Sequence, residues 1–307
     1  MTQLITYKNK DDQNIKLSMP DHIIWSFNKE RFGKISNAVG SNFEFQYMLD
    51  INDIATADIK YAIGKTAIDL YKKANMPFAV CISGADSEVI ARESKEIGIP
   101  FELYFMDFWG INGHLLKMAG DLAKELNVQL NVVHLSKEEA YERVLVENFK
   151  ELQAEKPSYL CMPYLFENIP FHNYIIGGEG EPMKGGPEYF PLADENGLFD
   201  GLPISITEVQ FRQWALVNNR ACEMYFYAAS PLLLKSYFYH PLLVKQNKSI
   251  STRKLINTIW PNLIFKEKTT NWDNDKDENY KMRIYLRTKL NSKNKFMYGP
   301  NVCLTRI

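Results

Sequence analysis

The sequence predicts an α/β fold, a parallel sheet covered by helices on both faces, and three observations predict it. Between residues 54 and 204, strand-like and helix-like segments alternate at the pitch of βαβ units. The run PFAVCIS is short and continuously apolar, as in a strand buried on both faces. The segment before it has helical spacing, with Ile59, Ala62, Ile63, Ala67 and Leu70 on one face.

Taken in order, residues 1–53 read as a short β-rich lead-in. LITYKN, IKLSM, HIIWSF and FEFQYML are apolar or alternating and are separated by polar clusters. The core then runs as helix (ATADIKYAIGKTAIDLYKKAN), strand (PFAVCIS), helix (SEVIARESKEIG), strand (FELYFMDF), helix (HLLKMAGDLAKELN) and strand (VQLNVVHLS). A helix over 137–155, the apolar stretch PSYLCMPYLF and the strand-like YII complete it. Residues 205–307 are expected to be mainly helical. A long helix is predicted over ITEVQFRQWALVNNRACEMYFYAA, followed by SPLLLKSYFYHPLLVK, with Pro231 and Pro241 as breaks, and by STRKLINTIW, which Pro261 ends.

The 307 residues are enough for one large domain, or a main domain with a small one. A net charge of −1 offers no global field for a nucleic acid or an anionic membrane, so neither partner is expected. Cys81, Cys161, Cys222 and Cys303 form no C-x-x-C pair, which argues against a zinc knuckle or dithiol centre and for buried thiols in a reducing compartment. The segment MTQLITYKNKDDQ lacks the apolar region of a signal peptide, and no apolar run is long enough to span a bilayer, so a cytoplasmic location is expected. Aromatic residues, 13% of the chain, are dense in its last third, which offers a face for a homodimer.

In an open parallel sheet, ligands bind outside the carboxyl ends of the strands. The turn after PFAVCI reads Ser83-Gly84-Ala85-Asp86-Ser87 and leads at once into a helix. Small residues let the backbone approach phosphate oxygens, and free N–H groups at a helix N-terminus donate to them. Asp86 would repel a phosphate unless a Mg²⁺ lay between them, so it predicts a metal. The same string also serves as a helix cap with no ligand. A second segment, YIIGGEGEPMKGGPEYF, clusters glycines around Glu179 and Glu181, as a tight loop holding Mg²⁺ against pyrophosphate would, or as a plain surface turn. His114 opens a helix near the end of FELYFMDF, and His134 reads as a packing residue at a strand end.

The first turn resembles the SGGxDS loop of the PP-loop ATP pyrophosphatases, also called adenine nucleotide alpha hydrolase-like. Ile82 stands in place of the first serine, Ser83 in place of the first glycine, and Gly84, Asp86 and Ser87 match. The second segment resembles SGEGxDExFGGYxYF of the asparagine synthetase synthetase domain. Gly178-Glu179-Gly180, Gly185-Gly186 and Tyr189-Phe190 match, while Pro182 occupies the aspartate position and leaves Glu181 as the candidate metal ligand. WPNLIFKEKTTNW resembles the P-x-x-I-x-R-P-K-x-G-F element of the same domain, with Lys268 on its lysine. The stretch SGADSEVIARESKEIGIPF is also similar to phage-encoded asparagine synthetase-like proteins, which would place the chain in a host cytoplasm.

The resemblance implies an ATP-dependent, amide-forming ligase with Mg²⁺. A carboxylate attacks the α-phosphorus to give an acyl-adenylate and pyrophosphate, and ammonia or an amine then displaces AMP. It implies catalytic roles for Asp86 and Lys268, and nucleotide contacts from Ile82, Ser83, Gly84, Ala85, Asp86, Ser87, Asp107, His114, Gly178, Glu179 and Gly180. Asp86 and Glu181 would hold the metal. Asparagine synthetases carry an N-terminal glutaminase with a catalytic cysteine after the initiator methionine. This chain begins Met1-Thr2-Gln3, so no glutaminase is expected and the nitrogen must arrive free or from a partner. Tyr164, Glu167 and Glu188 are expected near strand ends, within reach of the second substrate. Two other classes stay open: a tRNA- or nucleotide-modifying PP-loop enzyme, and a degenerate protein that binds nucleotide without catalysis.

Overall fold

The computed structural model describes residues 2–8, 14–20, 23–26, 46–49, 54–152, 157–178, 211, 214–215, 218–238, 240–244, 252–266, 278, 281–282 and 284–285. Strands β1 (Thr2–Lys8) and β2 (Asn14–Pro20) pair antiparallel, as do β3 (Ile23–Ser26) and β4 (Gln46–Leu49). These are the four segments expected of the β-rich lead-in.

Helix α1 (Ile59–Ala74) starts where the Asp58 carboxylate accepts hydrogen bonds from the amides of Lys60 and Tyr61. That bond satisfies amide donors that have no partner inside a helix's first turn. The helix ends at Asn75, whose φ of 51° lies in the left-handed region that closes helices. All five residues of its predicted apolar face are buried.

Strand β5 (Phe78–Cys81) follows, then α2 (Ala85–Glu96), β6 (Phe101–Phe108), α3 (Gly113–Leu126) and β7 (Leu130–Leu135). The predicted helix over 137–155 is observed as α4 (Lys137–Glu139), a π-helical stretch Ala140–Val144 and α5 (Leu145–Leu152). PSYLCMPYLF forms helix α6 (Pro157–Glu167) with Pro163 inside it, and β8 (Tyr174–Gly177) carries the YII segment.

The long helix predicted over residues 206–229 is corrected by the structure. Cys222–Glu223 forms β9, which pairs parallel with Ile175 and Ile176 of β8, and Phe226–Ala228 is a single 3₁₀ turn. A strand edge left open by β8 outweighs helical spacing in this stretch. Pro231 and Pro241 begin helices α7 (Pro231–Phe238) and α8 (Pro241–Val244), in the first-turn position where proline's missing N–H costs nothing. Helix α9 (Thr252–Ile259) stops just before Trp260-Pro261.

Strands β5 to β9 form one all-parallel sheet in the order β7-β6-β5-β8-β9. The chain starts in the middle, runs outward through β6 and β7, then returns to the other side of β5. The strand order therefore reverses between β5 and β8. Side chains alternate across the sheet into two cores. Ala79, Cys81, Tyr104 and Met106 pack toward Leu160, Leu165 and Phe166 on α6. Phe78, Val80, Leu103 and Phe105 pack toward α1, α2 and α3 through Ile63, Val89, Ile90 and Leu122. This is the predicted α/β architecture with both faces covered. Among the described residues, no helix is long and apolar enough to cross a membrane.

Candidate nucleotide site at the strand reversal

The crevice outside the carboxyl ends of β5 and β8 is where an open α/β sheet accommodates a ligand. The turn Ile82–Ser87 fills one side of it. Ile82 extends the strand, its amide donating to the Tyr104 carbonyl at 2.9 Å, and its side chain is 2% exposed. Ala85 is fully buried as well. These two predicted contacts can therefore offer a ligand only their backbone. Ser83 is exposed, and Gly84 is extended at φ −174°.

The Ser87 hydroxyl organises the turn. It accepts from the Ser83 amide at 3.1 Å and the Gly84 amide at 3.3 Å, and donates to the Gly84 carbonyl at 3.0 Å. The Ser83 and Gly84 amides are thus held inside the turn by Ser87, at the start of α2, where the helix dipole favours an anion. Asp86 follows in the first turn, half-buried with Oδ1 shut off from solvent, and its carbonyl accepts from the Tyr227 hydroxyl at 3.2 Å.

Gly178 closes the other side. A Cβ on Gly178 would lie 2.6 Å from the Ser87 amide nitrogen and 3.0 Å from Asp86 Cβ. Only a residue without a side chain lets the backbone after β8 approach the turn after β5 this closely. A Cβ on Gly177 would meet the flexible end of the Met224 side chain at 2.5 Å and the Met224 carbonyl oxygen at 2.9 Å. Two motifs about ninety residues apart in sequence therefore meet with Asp86, Ser87 and Gly178 in contact. Glu179, Gly180, Glu181, Pro182 and Lys268 lie outside the described residues.

The WPNLIFK segment is anchored to this same helix. Glu88, fully buried in the first turn of α2, accepts from the amides of Ile264 at 2.9 Å and Phe265 at 2.7 Å, and from Arg92 Nε at 2.8 Å. Glu93 accepts from Trp260 Nε1 at 2.9 Å. Burial pushes the Glu93 carboxyl above its ordinary range, against the pull of the Trp260 bond. Neither glutamate stands out in the sequence. The only signal is the Glu88–Arg92 spacing of four, which reads as an ordinary helix-surface pair.

On the other side of β5, Asp107 ends β6. Its Oδ1 accepts from the Gly110 amide at 2.9 Å, and its Oδ2 lies 2.8 Å from His134 Nδ1. His134 is therefore not the packing residue expected: its side chain is 71% exposed and paired with Asp107. His114 is exposed on the first turn of α3, the helix that follows β6. Tyr164 and Glu167 lie on α6; the Tyr164 hydroxyl bonds Glu139 Oε2 at 3.1 Å and reaches the His134 carbonyl near the end of β7 at 3.5 Å. The Cys81 thiol at the end of β5 is pushed up to about 12 by burial, so it stands neutral behind the turn and is no nucleophile. Cys161 is also buried and Cys222 half-buried, and neither is in a disulfide.

No family model and no curated protein matches the chain. Among solved structures, the chain is similar to the NMN synthetase from Francisella tularensis at 15% identity, over 80% of this chain and 99% of that one, with a TM-score of 0.35.

Proposed function

We propose that this chain is an ATP-dependent synthetase of the PP-loop kind, which cleaves ATP between the α- and β-phosphates to adenylate a carboxylate and passes the acyl group to ammonia or an amine. The observation that carries the reading is the contact of Gly178 with Asp86 and Ser87 at the strand reversal, 2.6 Å from a Gly178 Cβ position to the Ser87 nitrogen. Two loops that resemble pyrophosphate-binding elements meet where a parallel sheet binds ligands.

In this reading the amides at the start of α2 and the exposed Ser83 hydroxyl hold the β- and γ-phosphates. The substrate carboxylate attacks the α-phosphorus in line, the bond to the bridging oxygen breaks, and pyrophosphate leaves into the turn. Lys268 neutralises charge that builds on the leaving group, and its segment is rooted three residues earlier by the Phe265–Glu88 bond. The nitrogen nucleophile then attacks the acyl carbon and AMP departs with the electron pair. The nitrogen is free ammonia or an amine, and the chain needs no nucleic acid and no membrane for this chemistry.

Asp86 fits a divalent cation because a carboxylate beside a phosphate site is repulsive without one. No group of three or more His, Cys, Asp or Glu side chains is gathered among the described residues. Mg²⁺ needs only one or two carboxylates when phosphate oxygens complete its shell. Asp86 and Glu181 would hold it, and when bound it supplies charge neutralisation for the phosphates. The test is ATP–pyrophosphate exchange over a panel of amino acids and dicarboxylic acids. Exchange with at least one acid, reduced roughly 100-fold or more by Asp86→Ala, is the expected result. Release of ADP and phosphate instead of AMP and pyrophosphate would overturn the reading.

One observation favours a second reading, nucleotide binding without turnover. The hydroxyl of the family's first serine is replaced by the buried Ile82, and the Ser83 and Gly84 amides are occupied by Ser87. MgATP binding with no AMP released across the whole acid panel would decide for it.

A further inference from the structure

The carboxyl edge of the sheet holds a second constellation that the phosphate site does not use. His134 and Asp107 are register partners at the ends of β7 and β6, with Nδ1 2.8 Å from Oδ2. A carboxylate oxygen only accepts, so the facing ring nitrogen carries the hydrogen and Nε2 is left as a base. The Asp107 carboxylate is itself aimed, since its other oxygen is held by the Gly110 amide. That turn is strained: Trp109 has φ 40° and Gly110 φ 85°, and Asn112 fixes it by accepting from the Phe108 amide at 2.9 Å and donating to the Met106 carbonyl at 2.8 Å. An aromatic residue in the left-handed region is uncommon, and such strain gathers at functional sites.

His134 also borders a cavity of about 410 Å³, with Tyr104, Asn131, Tyr164 and Asn168 among its walls. Charged and titratable groups around it include Asp107, Glu139, Arg143, Tyr164 and Tyr104, with Glu102 accepting from the Tyr104 hydroxyl at 3.0 Å and from Asn131 at 2.9 Å; Arg143 lies over the Tyr164 ring at 5.6 Å, and the Tyr164 hydroxyl reaches the His134 carbonyl at 3.5 Å. In register, Cys81 is level with Tyr104. Asp107 is level with His134, and β7 lies two strands from β5, about 10 Å across the sheet.

We infer that His134 is the general base of the second half-reaction, with Asp107 as its positioning residue, an inference that rests on the synthetase reading above. As the amine nitrogen bonds to the acyl carbon, its proton passes to Nε2. The carbon–oxygen bond to AMP breaks with both electrons on the phosphate oxygen, and the imidazolium returns the proton to solvent.

The test uses the full chain with MgATP, whichever acid supports exchange, and two nucleophile probes. Hydroxylamine is an unprotonated, reactive nucleophile at neutral pH and needs little help, whereas ammonia is mostly ammonium. His134→Gln is expected to lower the ratio of ammonia-dependent to hydroxylamine-dependent product by roughly 100-fold, the usual scale of a general base. Asp107→Asn should lower the same ratio by a smaller factor. Because a damaged fold would depress both probes together, His134→Ala with added imidazole is the second arm, and recovery of the ratio is expected. An unchanged ratio in His134→Gln, or a ratio that imidazole leaves unrestored, overturns the inference. A wild-type chain that shows no exchange with any acid overturns the synthetase reading itself, which is a separate outcome.

Discussion

Gly178 carries more of this account than any other single residue. It is held so close to the Ser87 amide and Asp86 Cβ that a methyl group has nowhere to go without moving backbone. Gly178→Ala should therefore displace the phosphate turn and weaken MgATP binding by about tenfold or more, as a misplacement near 1 Å does elsewhere. Isothermal titration against the wild type checks this. Equal affinity would mean the two loops do not share a ligand. The residues of the turn divide their labour: Ile82 and Ala85 fill the core, and the Ser87 hydroxyl holds the Ser83 and Gly84 amides; in the proposed reading, Ser83 and Asp86 face the ligand and its counter-ion.

Helix α2 joins the site to the rest of the chain. Its N-terminus is the candidate phosphate turn, while Glu88 and Glu93 bind the segment that follows α9. A buried carboxylate that accepts backbone N–H groups is costly to remove, because the donors are left without partners. For Glu93 the sign follows from its raised folded-state pKa, caused mainly by burial. Its contribution to stability is full below the ordinary carboxylate range and is lost as pH rises through the raised value. Glu93→Gln keeps an acceptor for Trp260 without the buried charge, so at pH 7 it should be at least as stable as the wild type, with the margin shrinking on acidification. Glu93→Ala should cost about 1–3 kcal/mol by stranding the indole N–H. Urea unfolding of both variants at pH 7 and pH 4.5 measures this, and a Glu93→Gln variant clearly weaker at pH 7 contradicts it.

At the scale of the whole molecule, the parallel sheet follows from local pattern. The α1 face, the apolar strand β5 and the turn at the head of α2 are each short-range features, and each is observed as expected. What stayed hidden depends on partners far away in sequence. Strand β9 is two residues long and exists only because β8 offers it an edge, so its helical spacing misled. Glu88 meets amides 176 and 177 residues later, which no periodicity reveals. The His134–Asp107 pair arises because two parallel strands end in register, a relation fixed by the sheet rather than by either segment. The glycine pair at the end of β8 was legible as a tight loop, but the contact of Gly178 with Ser87 required the strand order.

The central claim is that the nucleotide's phosphates lie between the turn Ile82–Ser87 and Gly178. Amide hydrogen exchange on the full chain, with and without MgATP, tests it most directly. The account predicts slowed exchange at Ser83, Gly84 and the first turn of α2 together with Gly177 and Gly178. Protection confined to the cavity beside β7, or no protection anywhere at saturating MgATP, would contradict it.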